Sequence, residues 1–256
     1  MFSLNGKRGL VIGIANDQSI AYGCARQFRR QGAELAVTYL NTKAEPYVRP
    51  LADELEAGIV FPCDVREPGQ LEAVFAEIEA RWGRLDFLLH SIAYAPKNDL
   101  HGRVVDCSQA GFLQAMDVSC HSFLRMAKLA EPLMEKAGGG CLMTVTFYGA
   151  EKVVQHYNLM GPVKAALEAA TRYMAAELGE KGIRAHAISP GPLLTRAASG
   201  LDRFEALMDQ ARDQAPGRRL VTIDEIGALA VYLASDEAAA STGTLAYIDG
   251  GYSIMD

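Results

Sequence analysis

The sequence predicts an α/β fold: a single doubly wound domain over residues 1–256, with a mostly parallel sheet of about seven strands and helices on both faces. Three observations predict it. Short runs that are apolar throughout alternate with longer stretches of helical periodicity almost from end to end. Strands that are apolar on both faces belong to a parallel sheet covered on both sides, and crossovers in such a sheet are right-handed. No internal repeat, low-complexity tract or Pro/Gly/Ser-rich linker divides the chain.

The elements follow in order. "RGLVIGIA" from Arg8 reads as a buried strand, and a helix runs from about Ile20 to Gln31. "AELAVTYL" is the second strand, a helical stretch surrounds "AEPYVRPLADELEA", and "AGIVFPCDV" is the third strand. Pro68–Trp82 places Leu71, Val74, Phe75 and Ile78 at helical spacing, which predicts an amphipathic helix. "LDFLLHSIA", "GCLMTVTF", "IRAHAISPGP" and "GTLAYIDGG" are the remaining apolar strands.

Composition narrows the function classes. With 256 residues and 50% hydrophobic content, the chain has material for a sizeable core. A net charge of −6 without a basic run argues against a nucleic-acid binder. No apolar run reaches the roughly 18 residues of a membrane span. "GLVIGIA" is too short, and too soon broken by glycine, for a signal peptide. The five cysteines are scattered without a C-x-x-C pair, which predicts reduced thiols and a cytoplasmic protein. The five histidines show no metal-ligand spacing, so no metal site is expected.

In an open α/β sheet, ligands bind beyond the carboxyl ends of the strands, and the first strand–helix turn cradles phosphate. Here that turn is "GIANDQSIA". Gly13 provides the tight exit from the strand. Ser19 and Ile20 open the helix, so their amides are expected to face an anion along the positive end of its dipole. The usual G-x-G-x-x-G is absent, yet the position still predicts a dinucleotide site of Rossmann type. The second strand ends in Leu40 and Asn41, with Lys43 close by and no carboxylate, which leaves NAD and NADP both open. Asp64 closes the third strand, where it can accept from an adenine amino group or merely cap the turn.

"HYNLMGPVK" holds a phenol and an ammonium seven positions apart, Tyr157 and Lys164. On one helix that spacing is nearly two turns, which puts both on the same face about 10 Å apart. Together with "GIANDQSIA", "CDV", "HSIAYAP", "YNLMGPVKAALEA" and "GPLLTRAASG", this stretch resembles the enoyl-acyl-carrier-protein reductases, a divergent branch of the short-chain dehydrogenase/reductase superfamily. The resemblance covers nearly the whole chain, to "YIDGGYSIM". The six residues between tyrosine and lysine, and "HSIA" from His90 to Ala93, are features of that branch.

The resemblance implies hydride transfer from NADH to the β-carbon of a trans-2-enoyl thioester in fatty-acid elongation. Tyr157 would donate to the thioester oxygen, Lys164 would hold the nicotinamide ribose, and Ala95 would lie near the acyl substrate. Gly13, Ser19 and Ile20 would meet the pyrophosphate, Asp64 and Val65 the adenine, and Ile92 the adenosine or ribose. Leu193, Leu194, Thr195, Arg196 and Ala197 would flank the nicotinamide. It also implies a homotetramer and an acyl-carrier-protein partner. Two departures stand out: the branch's upstream tyrosine is Phe147, with Tyr148 displaced by one, and "SPGP" carries Pro190 where relatives tend to have alanine. Leu201, Phe204, Leu207 and Met208 predict an amphipathic helix, and a substrate lid near residues 193–212. Lys97, Arg196, Arg203, Arg218 and Arg219 form a candidate basic surface for an acidic carrier protein. The alternatives are a carbonyl or hydroxyl oxidoreductase of another substrate, and a dinucleotide-binding protein with a decayed active site.

Overall fold

The computed structural model describes residues 2–195 and 204–255. Among them, seven strands form one sheet: β1 (Arg8–Ile12), β2 (Glu34–Tyr39), β3 (Ile59–Pro62), β4 (Phe87–His90), β5 (Gly140–Val145), β6 (Ile183–Pro190) and β7 (Thr244–Ile248). Their spatial order is β3-β2-β1-β4-β5-β6-β7, and every pairing is parallel. This is the doubly wound Rossmann-type sheet that the apolar runs predict.

Alternation along each strand divides the interior into two cores. Leu10, Leu88, Leu142 and Ala185 face one side, where they meet α3 (Gln70–Trp82), α6 (Ser122–Lys136) and α7 (Met160–Leu178). Val11, Leu35, Leu89 and Met143 face the other, against α1 (Ile20–Arg30), α2 (Glu45–Glu54) and α9 (Ile223–Ala234). Each fully buried leucine, valine or methionine among them stabilises the fold by about 1.5–3 kcal/mol relative to exposure. Helices α1 and α9 approach each other closely because both carry glycine at the crossing. A Cβ on Gly227 would lie 2.6 Å from the Gly23 carbonyl oxygen, and one on Gly23 2.5 Å from Ile223.

The chain from β1 to β3 builds outward in one direction, and from β4 to β7 in the other. The loops after β1 and β4 therefore part company and leave a crevice at the carboxyl ends of the strands. Between β4 and β5 lie α4 (Lys97–Leu100), α5 (Gln109–Met116) and α6, none of which periodicity had marked. A π-helical turn, Asp117–His121, joins α5 to α6. The expected lid region contains α8 (Phe204–Gln214). Arg196, Ala197, Leu201, Arg203 and the side chain of Phe204 lie outside the described residues.

One expectation is corrected. Tyr157 and Lys164 do not share a helix, because α7 begins at Met160. Tyr157 sits in the preceding turn between His156 (φ 64°) and Asn158 (φ 42°), both left-handed. That conformation interrupts helical geometry, and histidine and asparagine are among the side chains that best tolerate it. The Asn158 amide group donates to the Leu100 carbonyl at 2.8 Å, which ties the turn to α4.

Candidate active site

The crevice is a cavity of about 700 Å³, within the range of cofactor and ligand sites. Its floor begins at Gly13, whose φ of 118° is open to glycine alone at little cost. A Cβ there would lie 2.1 Å from the Ser91 carbonyl oxygen, so the exits of β1 and β4 could not lie together. Ser19 organises the turn that follows. Its hydroxyl oxygen accepts from the amides of Ala15 and Asn16, both at 3.0 Å, and its own amide donates to the Asn16 carbonyl at 3.2 Å. The Ser19 amide is thus committed within the loop, contrary to the expectation that it faces an anion. Ile20, the first residue of α1, keeps an amide without an intrahelical acceptor, at the positive end of the dipole.

At the β3 end, Asp64 is held by Arg66. The guanidinium donates to both carboxylate oxygens, at 2.9 and 2.6 Å, and the Arg66 amide adds a third bond at 3.0 Å. These bonds hold the Asp64 carboxyl below its usual range, against the opposing effect of burial. Arg66 also lies over the ring of Tyr94, 5.7 Å from its centroid. Arg125 of α6 donates to the Val65 carbonyl at 2.7 Å, so the whole corner at the end of β3 is braced. Asn41 spends its side-chain oxygen on the amides of Lys43 and Ala44, and Leu40 stands half exposed at the cavity wall.

Tyr157 and Lys164 enter the same cavity. The Tyr157 ring meets Phe147 edge-on, and burial, with Glu168 adding to it, raises its phenol above the usual range. Lys164 is 4% exposed, and its Nζ donates to the Val145 carbonyl at 2.7 Å. Burial pulls its ammonium down to about 8, while Cys120 and Glu168 act in the opposite direction. Below it His90 bridges β5 and α6: Nδ1 lies 2.8 Å from Thr144 Oγ1 and Nε2 2.8 Å from Ser122 Oγ. Ser122 gives its proton to the Val118 carbonyl, so it accepts from Nε2–H. Burial, with Lys164 as a second cause, lowers His90 to about 3.

The residues present fit a dinucleotide. An orphan helix amide stands at one end of the cavity, and a cation with two spare N–H donors stands further along. Of the residues expected to bind it, Gly13, Ser19, Ile20, Asp64, Val65 and Ile92 line the cavity, and Leu193 and Thr195 close it. Ala95 lines the cavity as well. Leu194 does not join them: it is 52% exposed and is not part of the lining. Arg196 and Ala197 lie outside the described residues. Sequence reasoning missed Val118, Thr146 and Met160, which also line the cavity. Met160 was legible three residues after Tyr157; Val118 arrives through a π turn that no pattern announced.

A family model described as enoyl-(acyl carrier protein) reductase matches residues 13–253. The chain belongs to that family. It is 45% identical over 249 residues to enoyl-acyl-carrier-protein reductase (NADH) 1 of Rhizobium meliloti strain 1021, spanning 97% of this chain and 91% of the relative. A solved enoyl-acyl-carrier-protein reductase from Anaplasma phagocytophilum, in complex with NAD, superposes with a TM-score of 0.94 at 44% identity, covering 100% of this chain and 97% of that one. The Bacillus cereus enzyme, with NADP+ and an indole naphthyridinone, superposes with a TM-score of 0.96 at 42% identity, covering 100% of both chains.

Proposed function

We propose that this chain reduces the trans-2 double bond of an enoyl thioester, carried on acyl carrier protein, with NADH as hydride donor in fatty-acid elongation. The observation that carries the proposal is the entry of Tyr157 and Lys164 into one cavity that starts at the Gly13–Ile20 turn. NADH as the donor is supported by relatives named for it.

When bound, the reduced nicotinamide supplies the hydride that the β-carbon accepts. Negative charge then builds on the thioester oxygen, and the Tyr157 hydroxyl donates a hydrogen bond to it. Such a donor accelerates the reaction because it binds the developing enolate more tightly than the ground state. Lys164 fixes the ribose hydroxyls with the donors not spent on Val145, and its positive charge favours the anionic oxygen. Phe147 and Val118 supply apolar wall at the reacting end. No general base is required, since the enolate takes its proton from water.

Residues 193–212 form the substrate lid in this reading. Leu207 of α8 packs against the core that contains Tyr157, and Ala211 and Ala215 pack with Tyr252. Of the candidate basic surface, Lys97 faces the cavity, whereas Arg219 is paired with Glu225 at 2.6 Å. A homotetramer accords with the exposed Phe112, Leu113, Leu124 and Tyr173 on α5, α6 and α7. Five free thiols accord with a reducing compartment such as the cytoplasm. No helix among the described residues is long and apolar enough to cross a membrane.

Loss of absorbance at about 340 nm with crotonyl thioester and NADH tests the proposal. Oxidation of the cofactor by ketones alone, or tight binding without turnover, would overturn it.

A further inference from the structure

Helix α7 grips the end of β5 at two consecutive residues. Lys164 Nζ donates to the Val145 carbonyl at 2.7 Å, and one helical turn later Glu168 Oε1 accepts from Thr146 Oγ1 at 2.6 Å. The three side chains are 4%, 6% and 2% exposed in the order Lys164, Glu168, Thr146. A buried carboxyl is costly, and a mere tie between helix and strand needs only neutral partners. Thr146 and Lys164 both line the cavity, so the grip is made at the site itself.

We propose that Glu168 and Thr146 are positioning residues for Lys164: their bond sets the separation of α7 from the end of β5, and the carboxylate stands behind the ammonium as its counter-charge. The inference rests on the reading of Lys164 as the residue that holds the nicotinamide ribose. With α7 seated at that distance, one Lys164 N–H reaches Val145 and the others turn into the cavity.

The surroundings single out Glu168 for the electrostatic part. Toward Lys164 face Cys120 from the π turn, His90 from β4, and Glu168 from α7. His90 is neutral, and burial keeps the Cys120 thiol protonated above its ordinary range. Glu168 is the carboxyl of the three. Burial, with Glu151 adding to it, raises the Glu168 carboxyl, while the Thr146 hydrogen bond, Arg172 and Lys164 act the other way; Tyr247 and Tyr157 face it from β7 and the turn before α7. Glu168 raises the Lys164 ammonium, opposing the burial that pulls it down.

The test is NADH affinity, read from nicotinamide fluorescence at about pH 6 and about pH 9 for wild type, Glu168→Gln, Thr146→Val and Lys164→Ala. Glu168→Gln can still accept from Thr146 but lacks the charge. It is expected to match wild type at pH 6, where the lysine is protonated in both, and to bind about tenfold more weakly at pH 9, the effect of moving one titration by about one pH unit. Thr146→Val keeps the charge and loses the bond, and is expected to bind about fivefold more weakly at both pH values. Parallel pH curves for Glu168→Gln and wild type overturn the electrostatic role, and unchanged affinity in Thr146→Val overturns the positioning role. If Glu168→Gln does not fold, Thr146→Val decides. Lys164→Ala separates the premises: unchanged affinity there overturns the ribose reading itself, while weakened binding with wild-type behaviour in the other two overturns this inference alone.

Discussion

The ring of Phe147 stands edge-on to that of Tyr157, with centroids 5.0 Å apart and planes inclined at 64°. Phe147 meets Tyr148 in the same manner at 5.0 Å, and Tyr148 meets Tyr252 at 5.3 Å. The hydroxyls of Tyr148 and Tyr252 lie 3.3 Å apart. A row of four rings therefore runs from the cavity to the C-terminal turn, with the phenol of Tyr157 at its inner end.

Tyr157→Phe replaces the hydroxyl by hydrogen, a net loss of one oxygen, and keeps that row intact. Turnover is expected to fall a hundredfold to a thousandfold, about 2.7–4 kcal/mol of barrier, while NADH affinity stays near wild type. Steady-state kinetics with a fluorescence titration checks both halves, and an undiminished rate removes Tyr157 from the mechanism.

Phe147→Ala deletes the ring that braces Tyr157. The residue is partly buried, so the expected loss of stability is about 1–3 kcal/mol, below that of a fully buried phenylalanine. Turnover falls as well, because the phenol gains room to turn from the substrate oxygen. Phe147→Tyr keeps the brace and is expected to hold both properties close to wild type. Denaturant melts and turnover numbers for the pair decide.

Ser19→Ala takes away the acceptor for the amides of Ala15 and Asn16. Two donors lose their partner, and the turn that leads into α1 loosens. NADH affinity should drop about tenfold, in line with about 1–2 kcal/mol for the lost bonds. A calorimetric titration that shows no change would mean the turn is held by other contacts.

Acid should destabilise the fold through two buried imidazoles. Burial lowers His90 to about 3 and, with Arg184 adding to it, His186 to about 4, against about 6.5 in the unfolded chain. Between those values the unfolded chain binds more protons, so stability falls as pH falls from about 6.5 toward 3. Each pH unit inside the window costs about 1.4 kcal/mol per histidine, several kcal/mol in all. Urea melts at pH 7, 6, 5 and 4 should show the decline, and His90→Gln should flatten part of it.

Much of this fold was legible because parallel strands buried on both faces leave an unbroken apolar signature. Leu71, Val74, Phe75 and Ile78 are all buried on α3, as their spacing predicts. The stretch from Lys97 to Lys136 was not legible, because Pro132 and a π turn interrupt regular periodicity there. At the site, motif positions located Gly13, Asp64, Tyr157 and Lys164 in the cavity lining. They did not reveal how those residues are held. That Arg66 clasps Asp64, or that Ser19 spends its amide on Asn16, depends on side-chain directions that spacing does not encode. The shared helix for Tyr157 and Lys164 failed for a local reason, two left-handed residues that spacing alone could not flag.

The π turn between α5 and α6 has a consequence for how this chain can change in length. A π turn holds about one residue more than an α turn, so it takes up an extra residue in place. The wider turn lets Val118 reach the cavity while Ser122, four positions on, reaches His90. Losing a single residue from Asp117–His121 would restore regular winding there and keep the faces of α6 toward the sheet, at the expense of the bulge itself. A one-residue deletion within α6 has no such slack and would turn every later residue, up to Lys136, by about 100° about the axis.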